Sequence, residues 1–250
     1  MSSSTSSTHN RTDVVANVLT GRSRGQLIVA LAGLAVFAAF AFHVAQDPEH
    51  PFTQGMDDAW RRLVGSDHGP ETAPLPMFFQ HLGEGLGALV LVIIIPVILF
   101  SLRRWRSALF FLAGFIGSTF TSQLVKNLVD RPRPAADATN GLFGPLFQVD
   151  HGSLPSGHAV TAGFAIVGIA ALVPAARRWI WWIVGALIAI GMIWQRTLIN
   201  AHWFSDTVAG IVAGAAVTAL IWWAFAPLLA KDIRKPVRRQ TAVTATEGAS

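Results

Sequence analysis

The stretch QLIVALAGLAVFAAFAFHVA, residues 26–45, is twenty residues long and contains no Asp, Glu, Lys or Arg. A helix needs about 20 mainly apolar residues to cross a hydrocarbon core of about 30 Å. The run follows Arg22 and Arg24. It is longer than the apolar core of a cleaved secretory signal, about 7–15 residues, and so reads as a retained signal-anchor span. Working outward, five further apolar runs appear at 77–102, 107–126, 158–174, 179–199 and 206–229. The expected fold is therefore all-α, an integral membrane bundle of six transmembrane helices. Residues 1–25, rich in Ser and Thr, read as a disordered tail, 26–230 as the membrane domain and 231–250 as a basic tail.

Composition agrees with that class. Of 250 residues, 52% are hydrophobic and 13% charged, with a mean hydropathy of +0.47. A soluble domain carries about 25% charged residues. The chain has no Cys, which excludes disulfides, thiolate nucleophiles and Cys-based metal sites.

The formal charge of +5 raises nucleic acid as a partner. Its distribution argues otherwise. Six spans place both termini on one side, with Arg11, Arg22, Arg24, Arg103, Arg104, Arg106, Arg177, Arg178 and the five Lys and Arg of 231–239. Those are thirteen of the nineteen basic residues. Basic residues near span ends mark the cytoplasmic face, so the termini read as cytoplasmic and the long segments 46–76 and 127–157 as outside. The surplus charge is topological; the bilayer, not nucleic acid, is the expected partner. The Ala-rich spans with Arg-rich turns suggest a bacterial plasma membrane.

The six remaining basic residues break this rule: Arg61, Arg62, Lys126, Arg131, Arg133 and Arg196. Arg131 alone reads as a cation snorkelling from a span end. Lys126, Arg133 and Arg196 together do not, because of their company. The second long segment ends in Leu154-Pro155-Ser156-Gly157-His158 at the start of a span. A helix start of this kind offers unpaired backbone N–H groups and a positive dipole end to an anion. His202 and Asp206 lie at i, i+4, a spacing at which a carboxylate can hold one imidazole nitrogen while the other faces a substrate. Phosphoryl transfer needs such positive charge around the equatorial oxygens, an in-line nucleophile and an acid for the leaving oxygen. His202 suits the nucleophile, forming a phosphohistidine, and His158 suits the acid and later the base.

The sequence resembles the type-2 phosphatidic acid phosphatase family, the membrane branch of a superfamily that includes vanadium-dependent haloperoxidases. The resemblance rests on three ordered blocks: Lys126 through Arg133-Pro134; Pro155-Ser156-Gly157-His158; and Arg196, His202 and Asp206 at the family spacing. Gln195 stands where Ser is usual. The resemblance implies phosphate binding by Lys126, Arg133, Arg196, Ser156 and Gly157, with His158 as acid, His202 as nucleophile and Asp206 as its orienting partner. It implies a lipid phosphate or diphosphate substrate; the outward site and the Ala-rich spans with Arg-rich turns put undecaprenyl diphosphate first, then phosphatidate or phosphatidylglycerol phosphate. The chemistry requires no cofactor and no metal. A lipid phosphotransferase and a non-catalytic anionic-lipid binder are the competing readings; the sequence does not indicate an oligomeric state.

Other polar residues receive plainer readings. His50, His68, His81 and His151 show no metal-ligand spacing. Glu84 reads as a wetted interfacial side chain, Asp130 and Asp150 as loop solvation, and Gln195 as a supporting donor. Residues 56–64 read as an amphipathic helix lying on the outer interface. Gly210 and Gly214 read as a close-packing face shared with Asp206. Lipid is expected to enter laterally between helices, its head group reaching the cations.

Overall fold

The computed structural model describes residues 22–67 and 73–233. The terminal tails therefore lie outside the described residues except for 22–25 and 231–233, as does His68. Among the described residues the regular structure is helical, apart from one isolated bridge between Asp137 and Leu142. The helices are α1 (Arg24–Gln46), α2 (Gln54–Val64), α3 (Pro74–Gly83), α4 (Leu86–Ser101), α5 (Trp105–Val129), α6 (Gly157–Leu172), α7 (Arg178–Leu198) and α8 (Phe204–Ile233).

Helices α1, α5, α7 and α8 are long and apolar enough to cross a membrane, and α3 with α4 meets the same measure only when the bent pair is taken as one broken span. Helix α6 has 16 residues, a rise of about 24 Å, and is short for a span by itself. The expectation of one continuous helix over 77–102 is corrected. The chain breaks at Glu84 and Gly85, with Gly85 at φ 49° and the two halves bent by 42°. Three glycines in five residues, Gly83, Gly85 and Gly87, weaken the helix there. Farther along, a π-type turn over Val90–Ile94 precedes Pro96. The wider turn accommodates a residue that lacks an N–H and crowds the preceding turn. The boundary placed at 230 also falls inside α8, which runs to Ile233.

Helix α8 is the central post, packed against α6, α1 and α5. Its contact with α6 is close because small residues meet there. A Cβ on Gly214 would lie 2.0 Å from the Val160 carbonyl oxygen, and one on Gly163 would lie 2.3 Å from that of Ile211. The expected packing role of Gly210 and Gly214 is thus what the structure displays: without a hydrophobic drive between spans, close backbone approach supplies the attraction. Phe110, Phe111 and Phe164 fill the space between α5 and α6. Large apolar side chains on the outer surface, such as Phe42, Phe100, Leu187 and Ile190, are more than 60% exposed, which suits lipid rather than water as neighbour.

At the end remote from Lys126, buried Asp232 of α8 accepts from the Ser107 amide at 2.9 Å and from Arg106 Nη1 at 3.0 Å. This carboxylate satisfies a free N–H of the first turn of α5 and ties its start to the end of α8. Register between α5 and α8 is thereby pinned at one end, which helps set where Lys126 emerges at the other.

The α6–α8 contact yields a direct test. Gly214→Val should abolish recovery of monodisperse protein in detergent, since the three nearest atoms it meets are backbone and the usual overpacking cost of about 1–3 kcal/mol is a lower bound. Normal gel-filtration behaviour would show that α6 and α8 do not meet at this point.

Candidate active site

Helix α5 ends in a way that aims the first two cations. Asp130 takes a left-handed conformation, φ 42°, and its amide donates to the Lys126 carbonyl at 3.1 Å. Asp tolerates this conformation better than most residues, so the chain can turn and carry residues 131–134 across the end of the bundle. Lys126 is 2% exposed, its Nζ donating to the Gly152 carbonyl at 2.7 Å. Arg133 donates to the carbonyls of Ala201 and Gly152, and its Nη1 lies 3.1 Å from His202 Nε2. The third cation, Arg196, comes from the last turn of α7. It is buried, donates through Nη1 to Gln80 Oε1 at 2.6 Å, and leaves Nε without a partner among the described residues.

His202 sits in the turn between α7 and α8. Its Nδ1 is 2.8 Å from the Ser153 carbonyl oxygen. A carbonyl can only accept, so Nδ1 carries the proton and Nε2 keeps its lone pair toward the cations. Burial, then the charges of Arg133, Arg196 and Lys126, hold this imidazole well below the ordinary histidine range. It is neutral at physiological pH, the state a nucleophile requires.

The direct pairing of Asp206 with His202 is corrected by this geometry. Asp206 accepts from Arg131 Nη1 at 2.7 Å, from the Ser153 hydroxyl and from the Trp203 amide at 3.1 Å. No hydrogen bond among the described residues joins it to His202. The i, i+4 rule applies within a helix, and His202 precedes the first turn of α8, which opens at Phe204. Asp206 therefore reaches the imidazole only through Ser153.

His158 lies in the first turn of α6, behind Ser156 at the N-cap. Its ring packs on Gly83, where a Cβ would come within 2.1 Å of His158 Cδ2. The glycine-rich break between α3 and α4 thus makes room for this imidazole. His158 Nε2 and Ser156 Oγ have no hydrogen-bond partner among the described residues, and the space beside Gly157 is open. Lys126, Arg133, Gly157, His158, Arg196 and His202 together line one cavity of about 260 Å³. Ser156 adjoins this group as the N-cap but is not among the lining residues.

Other residues appear here that their local sequence did not single out. Arg131, expected to snorkel, is 1% exposed and paired with Asp57 and Asp206. Asp150, read as loop solvation, lines the cavity, with Oδ1 against Lys126 Nζ at 3.3 Å and against Arg133. Glu84 also lines it, 3.7 Å from His158 Nε2. Gln195 donates to Gln80 rather than into the cavity. The signal for Arg131 and Asp150 was charge within a few residues of the motif blocks; their partners are distant in sequence and were not legible. His50, His81 and His151 do not assemble into a group of three ligating side chains among the described residues.

Three cations, a helix N-terminus and two histidines thus gather at one end of the helix bundle, a set of donors and positive charge of the kind that suits an oxyanion. The PAP2 superfamily profile matches residues 107–229, which contain all three motif blocks. The chain belongs to that superfamily. It is 30% identical over 189 residues to lipid A 1-phosphatase of Rhizobium johnstonii, covering 64% of this chain and 74% of the relative. It is 28% identical to lipid A 1-phosphatase of Rhizobium etli, covering 53% and 62%. The crystal structure of a transmembrane PAP2-type phosphatidylglycerolphosphate phosphatase from Bacillus subtilis shares the fold, with a TM-score of 0.64 at 22% identity over 77% of this chain and 93% of that one.

Asp150 occupies the position between two cations where an oxyanion would lie. Asp150→Asn should therefore lower the inhibition constant of inorganic phosphate or orthovanadate about fivefold, the equivalent of about 1 kcal/mol for a half-exposed charge pair. Weaker inhibition would instead make Asp150 a group that holds Lys126 and Arg133 in place.

Proposed function

We propose that this protein is an integral membrane lipid phosphatase that hydrolyses a phosphate or diphosphate ester through a phosphohistidine on His202. The observation that carries the reading is a buried neutral imidazole whose unprotonated Nε2, held by Arg133 Nη1 at 3.1 Å, shares one cavity with Lys126, Arg133 and Arg196. In the first step the Nε2 lone pair attacks phosphorus in line, the phosphorus–oxygen bond to the lipid breaks, and His158 gives its proton to the departing oxygen. The three cations, the Gly157 amide and Ser156 stabilise charge on the equatorial oxygens. In the second step His158 takes a proton from water, which attacks the phosphohistidine, releases inorganic phosphate and restores His202.

Membrane placement supports the same reading. We take α6 as a sixth span, so that both termini are cytoplasmic and the cavity opens on the outer face of a bacterial plasma membrane, a placement that the basic-residue asymmetry favours. An apolar cavity of about 430 Å³ lies between α3–α4, α6 and α7, lined by Leu82, Leu86, Thr161, Ile188 and Met192. It is contiguous in sequence with both Glu84 and His158, and we assign it to the lipid chain. Among substrates, the names of the relatives favour the 1-phosphate of a lipid A; undecaprenyl diphosphate, phosphatidate and phosphatidylglycerol phosphate follow. The rival phosphotransferase reading keeps the first step and replaces water with a second lipid or sugar.

Two measurements check this. Purified protein in detergent, with chelator present, should release inorganic phosphate from at least one of these four lipids, and His202→Ala should abolish release. Folded wild-type protein that releases none would exclude the hydrolase, and phosphate appearing on an added acceptor would identify the transferase. For topology, a single cysteine at Thr139 in this Cys-free chain should react with a membrane-impermeant maleimide in intact cells, whereas one at Ala176 should not. The reverse pattern would place the cavity on the cytoplasmic face.

A further inference from the structure

Helix α2 is turned the unexpected way. Its apolar side chains Met56 and Leu63, with Phe52 just before it, are 49%, 79% and 71% exposed, while its Asp57 is fully buried. Asp57 accepts from the Ser205 amide at 2.8 Å, from the Ser205 hydroxyl at 2.6 Å and from Thr53 Oγ1 at 3.1 Å. Its main partner is Arg131 Nη2 at 2.8 Å, and Gln54 Oε1 accepts from the same nitrogen at 3.3 Å. The helix thus presents apolar groups outward and delivers one carboxylate to the bundle.

Arg131 spends its guanidinium on two carboxylates at once. Nη2 holds Asp57 and Nη1 holds Asp206, with Ser205 Oγ a further acceptor at 2.9 Å. Asp206 in turn accepts from the Ser153 hydroxyl, while the Ser153 amide donates to the Arg131 carbonyl at 2.7 Å. Ser153 is therefore fixed by its amide and by its side chain. Its remaining polar group is the carbonyl that holds His202 Nδ1. Each hydrogen bond in this chain removes a rotation that would otherwise let the imidazole swing or change tautomer.

We propose that Asp57 and Arg131 are positioning residues for the reaction, setting the direction and tautomer of His202 through Asp206 and Ser153. This rests on His202 being the nucleophile. Neither residue lines the cavity, so neither touches the substrate. Loss of either should slow formation of the phosphohistidine and leave lipid binding alone, because the clamp of Lys126, Arg133 and Arg196 is made elsewhere. Helix α2, with its apolar groups toward the bilayer, is by this account part of the catalytic apparatus.

The test is steady-state and rapid-quench kinetics on Arg131→Lys, Asp57→Asn and Ser153→Ala, using whichever lipid phosphate the wild-type protein hydrolyses. Lys keeps the charge of Arg131 but cannot bridge two carboxylates with a planar fork. Expected is a fall in kcat and in the phosphorylation rate of about 10- to 100-fold, the range for groups that orient a metal-bound histidine from behind, with KM within about twofold. Phe110→Leu, in the core away from this chain of bonds, serves as a control for a general loss of stability and should keep the wild-type kcat. If Arg131→Lys does not fold, Asp57→Asn and Ser153→Ala decide the matter. Variants with the kcat of the control, or with KM raised and kcat intact, would overturn the inference while leaving the phosphatase standing. A wild-type protein that forms no phosphohistidine would remove both.

Discussion

The constraint on which the site depends is electrostatic: Lys126, Arg133 and Arg196 must stay charged and close together at the end of a bundle largely shielded from water. Like charges in a medium of low dielectric repel strongly, and each pays for the hydration it has lost. The structure answers with carbonyls rather than with a carboxylate for every cation. Gly152 and Ala201 accept from Lys126 and Arg133, and the Gln80 amide oxygen accepts from Arg196. Neutral acceptors orient the donors without cancelling their charge, so the field in the cavity remains positive. Asp150 is the exception, and it lies on a loop, half-exposed, where it can be displaced.

Behind this layer the polarity changes. Arg131 is matched by two carboxylates, Asp57 and Asp206, and all three are buried. Breaking such a pair by removing one partner leaves an uncompensated charge, at a cost of about 3–5 kcal/mol, so the trio holds its geometry firmly. The result is a positive front layer and a rear layer, with two carboxylates to one cation, that braces it. His202 sits between them, with Nδ1 tied to the rear through Ser153 and Nε2 turned to the front, where Arg133 donates to it.

The helix packing serves the same end. Gly163 and Gly214 let α6 and α8 approach until backbone atoms meet, which brings the N-terminus of α6 beside the turn that carries His202. The Ser156 amide donates to the Asp206 carbonyl at 3.2 Å, joining the two helix starts directly. Gly83, beside the break at Glu84 and Gly85, makes room for His158, and an apolar cavity lined by Leu82, Leu86 and Thr161 lies nearby. An unbroken helix over 77–102 with ordinary side chains would have filled the space that the imidazole occupies.

Part of this was legible in the sequence. The apolar runs marked the helices because apolar length is a local property, and the three motif blocks stood out because residue type and spacing are local too. Small residues four apart on one span predicted a close contact, without saying with which helix. Tertiary structure alone decided the rest. Asp57 and Arg131 are 74 residues apart, and Arg131 and Asp206 are 75. No periodicity connects them, so a buried ion-pair network looked like a snorkelling arginine and an interfacial helix. The partner of His202 Nδ1 was misread for a related reason. Spacing identifies which side chains share a helix face, but His202 lies just before its helix, and there the hydrogen bond goes to the nearest acceptor the folded chain supplies, a carbonyl 49 residues away. Sequence determined which groups could do the chemistry; the long-range packing of the chain determined which of them hold the others in place.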